Sequence, residues 1–255
     1  MPFARKVADM AYRRLSLLAV PPRRAVLGAV LGTALAAAGC GGGASGSGGA
    51  NGPATTGRAA LAGSPYTAAQ LEQALLTEAP GHRRAGEPDA GEYRALKSVQ
   101  NADLLRRQTR LDKPRCAGAA TPATEVGGDV PTALATFTGE GGTIATETLM
   151  GLAGAAAERQ LSVRVPASCR TFRTRIGGTW SAHRVVESPR GDLGEGSRTV
   201  GVTTVTGGAR THTWYVVVKG GRYLVTLSLY GPKATKAEAE RLAAQALAQA
   251  ARILP

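Results

Sequence analysis

Histidine and cysteine are scarce in this chain, with three of each among 255 residues. No Cys-x-x-Cys and no His-Glu-x-x-His occurs, and His82, His183 and His212 stand far apart without ligand spacing, so no recognisable zinc site is written into the sequence. A Gly-x-Ser-x-Gly nucleophile elbow is missing as well. Gly-x-Gly patterns do occur between residues 41 and 64. No strand-like run precedes them and no Gly-Lys-Ser/Thr follows, which removes the phosphate-loop reading. No cofactor is implied, and nothing marks the chain as an enzyme. Long hydrophobic runs are lacking too. The longest, from Ala25 to Gly39, is short for a membrane span.

That short run has the flanks of an export signal. Arg23 and Arg24 precede it, and Ala37-Ala38-Gly39-Cys40 closes it. Small residues directly before a cysteine resemble a bacterial lipobox, with Ala37 where Leu is usual. The expectation is a leader over residues 1–39 and a lipid on Cys40. The pairs Arg13-Arg14 and Arg23-Arg24 leave ordinary and twin-arginine export both open. Met10 is a second possible start. Residues 1–39 hold six of the 31 basic and one of the 18 acidic residues, so the net charge falls from +13 to +8 beyond them. Arginine outnumbers lysine 25 to 6. The clusters Arg83-Arg84 and Arg106-Arg107-Arg110 read as solvated surface in a GC-rich genome, or as attraction to anionic lipid or wall polymer, and not as a nucleic-acid footprint. Arg190-Gly191-Asp192 is an adhesion tripeptide of a length that chance supplies often.

Residues 40–64, rich in Gly, Ala, Ser and Thr, read as a disordered tether. Residues 65–255 read as one domain. Thr67-Ala-Ala-Gln70 is a capping box that opens a short helix, stopped by Pro80-Gly81. Residues 82–115 suit helix and strand equally. Two strand-like runs, 133–138 and 143–149, flank Gly139-Glu-Gly-Gly142. Residues 152–164 favour helix, and 170–176, 180–187 and 198–206 favour strand.

The clearest element is a hairpin over 211–230, around Gly220-Gly221. With those glycines as its loop, Lys219 pairs with Arg222, and His212 lies opposite Leu229. One face carries Trp214, Val216, Val218, Tyr223, Val225, Leu227 and Leu229; the other carries Thr213, Tyr215, Val217, Lys219, Arg222, Leu224, Thr226 and Ser228. A three-residue loop at 207–209 would place Val200 and Val202 on the face of Trp214. After Gly231-Pro232, a second capping box, Thr235-Lys-Ala-Glu238, opens a helix with an apolar stripe over Ala239, Leu242, Ala243, Ala246, Leu247, Ala250, Ile253 and Leu254. That stripe should lie on the apolar sheet face, with Gln245 on the opposite side. The fold class is α+β: a mostly antiparallel sheet covered on one face by helices, the C-terminal helix packed on it.

With Cys40 assigned to lipid, Cys116 and Cys169 remain to form a disulfide. Two free thiols or a metal pair are the alternatives, and no His cluster lies near to support the second. From Cys116 onward the layout runs through a strand pair, an Ala-rich helix before Cys169, antiparallel strands with the Trp214-Tyr215-Val-Val-Val run, and an Ala-rich C-terminal helix. It resembles actinobacterial sensor-domain lipoproteins, and is similar to the extracellular domain of mycobacterial receptor serine/threonine kinases. Those domains carry two disulfides where this chain can make one. The resemblance implies a non-enzymatic, ligand-sensing or binding module on the extracytoplasmic face of the cell membrane. Its partners are the membrane, through the anchor, and an unidentified small-molecule, lipid or envelope ligand. The alternatives are a lipid or glycolipid carrier with an apolar cavity, or a cell-envelope enzyme.

Overall fold

The computed structural model describes residues 64–119 and 126–254. The expected leader, Cys40 and all of the expected tether except Ser64 lie outside the described residues. The elements in chain order are α1 (Ala68–Gln73), β1 (His82–Arg84), β2 (Asp89–Glu92), α2 (Lys97–Gln108), β3 (Arg110–Leu111), β4 (Pro131–Gly139), β5 (Ile144–Met150), α3 (Gly154–Ser162), β6 (Thr171–Ile176), β7 (Thr179–Glu187), β8 (Ser197–Thr206), β9 (Ala209–Gly220), β10 (Tyr223–Gly231) and α4 (Lys236–Ile253). The strands form one antiparallel sheet in the order β1-β4-β5-β10-β9-β8-β7-β6-β3. β2 joins β1 along the outer side of β4. The molecule is thus α+β, with the C-terminal helix on the sheet.

Alternation along β9 and β10 builds the larger core. Val216, Val218, Tyr223, Val225, Leu227 and Leu229 are buried on one face. Ala133, Ala135 and Phe137 of β4 and Ala145 and Leu149 of β5 continue it. Leu71 of α1 and Leu242, Ala243, Ala246 and Ala250 of α4 close it over. Alanine at those helix positions lets the backbone come close to the sheet. Leu247 is only half buried at the rim, Ile253 of the expected stripe is exposed because it falls in the last turn beyond the sheet contact, and Gln245 is half buried where an exposed residue was expected. The α1 capping box is complete. At α4 the Thr235 hydroxyl accepts from the Glu238 amide.

Two registers depart from the sequence reading. Gly220 pairs with Tyr223, so the β9–β10 turn is Gly221-Arg222, with Gly221 at φ +47°. Leu229 therefore lies opposite Trp214, and His212 opposite Gly231. A slip of two residues preserves which face each side chain takes. At β8–β9 the loop is Gly207-Gly208 alone, at φ 56° and 86°. Two positive φ values in succession are what a primed hairpin turn requires. Thr206 then pairs with Ala209, and Val200 and Val202 lie beside Tyr215 and Thr213, on the opposite face from Trp214. One residue fewer in the loop reverses parity.

The second face is therefore buried as well. Val200 and Val202 pack with Phe172, Val185 and Tyr215 around the Cys116–Cys169 bond. Farther along, Ala157 and Leu161 of α3 pack on Met150, Val217 and Leu224. The run Val216-Val217-Val218 thus serves two cores in alternation.

Candidate functional site

A cleft of about 1140 Å³ opens between residues 76–84 and the C-terminal half of α4. One wall begins where α1 ends. Ala79, Pro80, Gly81 and His82 make a tight turn in which the His82 amide donates to the Ala79 carbonyl at 2.8 Å. Pro80 takes the second position of the turn and Gly81, at φ 79°, the third. Proline followed by a residue of positive φ is the signature of a type II turn. The turn feeds β1, which pairs His82 with Gly139 and Arg84 with Phe137. The imidazole lies against Gly139 so closely that a Cβ there would come within 2.6 Å of it. The Arg84 guanidinium sits 5.6 Å from the Phe137 ring centroid and donates to the Leu76 carbonyl.

Gln245, Ala248, Gln249 and Arg252 form the other wall. Their spacing places them along one side of the helix. Arg252 donates to the Gln249 amide oxygen. Two of the residues that line this cleft carry a buried polar atom without a partner among the described residues: Nε2 of His82, on the side of Gly139, and Oε1 of Gln245. Nδ1 of His82 lies 3.3 Å from the Pro80 carbonyl oxygen.

Behind the wall lies a carboxylate. Glu147 of β5 occupies a core-facing position and is fully buried. Its Oε2 accepts from the Leu76 amide at 2.9 Å, while Oε1 has no partner among the described residues. Burial pushes its pKa up to about 7, against the opposing pull of the Leu76 amide and the Arg84 charge. Arg84 and Glu147 thus hold the carbonyl and the amide of the same residue, Leu76, which lines the cleft.

Cys116 and Cys169 are joined, with their Cα atoms 5.4 Å apart. Each lies in a short 3₁₀ turn, Pro114–Cys116 and Ala167–Cys169. The three histidines are not brought together. His183 lies between the Thr174 and Thr204 hydroxyls, at 2.7 and 2.9 Å, and stacks on Phe172. Burial holds its pKa below the usual imidazole value. His212 Nδ1 lies 3.2 Å from the Thr203 hydroxyl. Arg190 of the Arg-Gly-Asp sequence pairs with Glu158. Among the described residues no group of three or more His, Cys, Asp or Glu is placed to hold a metal, and no helix is long and apolar enough to cross a membrane. The cleft's polar residues come from parts of the chain that carry no motif. Glu147 does leave a trace, as the acid between Ala145 and Leu149 in an alternating strand.

The chain is similar in structure to the extracellular domain of PknH from Mycobacterium tuberculosis. The two share 12% identity and a TM-score of 0.51, over 74% of this chain and 98% of that domain. A putative uncharacterized protein from Mycobacterium smegmatis, the Rv0999 ortholog, matches at 18% identity and a TM-score of 0.43, over 72% of this chain and 94% of its own. No family model matches, and no curated protein does. At these identities the likeness to PknH is one of fold, and it carries the fold part of the resemblance read from the sequence.

Proposed function

We propose that this protein is a lipid-anchored binding module of the extracytoplasmic face of the cell membrane, and that its ligand occupies the cleft between residues 76–84 and α4. The observation that carries this reading is one cleft lined by His82 and Gln245, each with a buried polar atom lacking a partner among the described residues, together with Arg84 and Arg252. A buried polar atom without a partner costs about 1–3 kcal/mol. A polar ligand that enters the cleft and turns both side chains onto itself removes that cost. The arginines add a preference for negative charge. A hydroxylated anion, such as a sugar phosphate or an anionic glycolipid headgroup, has both features. This lining favours a sensing or binding role for polar ligands over carriage of a purely apolar chain.

Native mass spectrometry of protein extracted from the envelope tests the cleft. A co-purifying hydroxylated anion is expected, and it should be lost from Gln245→Leu and Arg252→Ala. A ligand retained by both variants would place the site elsewhere. The anchor is tested separately. Cys40→Ala should release the protein to the medium or block its processing, whereas correctly cleaved Cys40→Ala protein that stays in the detergent phase would refute acylation.

A further inference from the structure

Four of the most exposed large apolar side chains belong to one end of the sheet. Leu104 and Leu105 of α2 are 55% and 52% exposed, and Ile176 and Trp180, on either side of the Gly177-Gly178 turn, are 42% each. At the tip of this hairpin, register sets Ile176 on one face, paired with Thr179, and Trp180 on the other, paired with Arg175. Gln108, at the end of α2, lines one shallow hollow with Arg110, Arg175 and that turn. The leucines lie about one helical turn earlier. α2 buries no side chain, so its adjacent leucines contribute nothing to the core. Exposed apolar groups on segments that meet near one end of a domain mark an interaction surface.

Positive charge surrounds Trp180. Strand register puts Arg110 opposite Arg175, Arg175 opposite Trp180, and Arg210 opposite Val205. Arg173 and Arg184 alternate onto the same exposed face. The Arg173 and Arg175 guanidinium groups lie 5.2 and 6.0 Å from the Trp180 ring centroid. Two acids flank the patch and both are paired: Asp103 with Arg106 at 2.8 Å, and Asp112 with Arg173 at 3.3 Å. Arg107, Arg110, Arg184 and Arg210 have no ion-pair partner among the described residues.

We propose that this end of the domain docks on an anionic lipid surface, with Leu104, Leu105, Ile176 and Trp180 at headgroup level and the unpaired arginines on lipid phosphates. The apolar groups sit on protrusions, a helix and a glycine turn, and not in a groove that would receive a peptide. A soluble polyanion would satisfy the arginines and leave the leucines in water. A bilayer interface satisfies both, because indole rings settle at headgroup depth and arginine reaches phosphate from an apolar stem. Neither the cleft nor Cys40 takes part in this docking.

The test reconstitutes the full chain into vesicles whose acyl chains are brominated and quench nearby indoles. The Trp180 signal is the difference between parent and Trp180→Phe, since Trp214 is the other tryptophan. Strong quenching is expected in phosphatidylcholine with one quarter phosphatidylglycerol, and little in phosphatidylcholine alone. Each arginine near an anionic surface changes partitioning roughly fivefold. The variant Arg110→Glu/Arg175→Glu/Arg210→Glu should therefore abolish the quenching. Arg222→Glu, at the far end of β9, should leave it intact. Equal quenching in both lipids, or quenching that survives the triple variant, would overturn the proposal. So would a Trp180 emission shift produced by dextran sulfate but not by the anionic vesicles, which would assign the face to a soluble polyanion.

Discussion

Glu147 makes stability depend on pH in the direction opposite to an ordinary paired carboxylate. Its pKa rises from 4.5 to about 7 on folding, chiefly through burial. Between those values the native state holds a proton that the unfolded chain has released. The contribution of Glu147 to stability is therefore greatest at and below pH 4.5, falls as pH rises through the window, and is level above about 7. Each unit of pKa difference is worth about 1.4 kcal/mol. The window from 4.5 to about 7 then amounts to about 3 kcal/mol. Glu147→Gln keeps an oxygen for the Leu76 amide and cannot ionise. The variant should match the parent at pH 4.5 and exceed it by up to about 3 kcal/mol at pH 7.5. Urea unfolding at pH 4.5, 5.5, 6.5 and 7.5, with the disulfide intact, measures the difference. A parent and a variant that change in parallel with pH would refute the reasoning, since Glu147 would then be ionised in the folded protein at little cost.

Three further outcomes are expected. Leu242→Ala, at a fully buried site under α4, should cost about 2–5 kcal/mol in urea melts, and Leu247→Ala at the rim less than about half of that. Gly201→Ala would set its Cβ 2.5 Å from the Trp214 ring. It should destabilise by about 1–3 kcal/mol, and an unchanged melt would show that the ring swings aside freely. Thiol labelling of denatured, unreduced protein should modify neither Cys116 nor Cys169, and labelling of both would contradict the bond. Reduction should cost about 4 kcal/mol for a loop this long.

Side-chain parity was legible in β9 and β10, where apolar residues alternate with threonine and serine over two long strands. The buried set there is the one the alternation names. Exact pairing was not legible, because a two-residue slip leaves every face unchanged. Parity failed at 207–209, where a run of Gly-Gly-Ala fits loops of either length. The longer loop puts Val200 and Val202 in the wrong core. Residues 82–115 gave no clear reading because α2 buries nothing and so has no apolar stripe. The cleft was illegible for a different reason: its walls, residues 76–84 and 245–252, meet only in the folded chain, and arginine and glutamine at those places look like ordinary surface.

The ends of the sheet bear on self-association. An open sheet with ten strands exposes two rows of unpaired backbone groups, a template on which a second copy can grow. Here one border is β3, only two residues long and begun by Arg110. The other border is divided between β1 and β2, three and four residues long, which occupy different stretches of β4. β1 carries Arg83 and Arg84. Neither border offers a long, flat, uncharged rail. Crowded copies of this domain are thereby kept from fusing edge to edge into a continuous sheet, a protection that comes from brevity and charge at the margins and leaves the apolar interior unchanged.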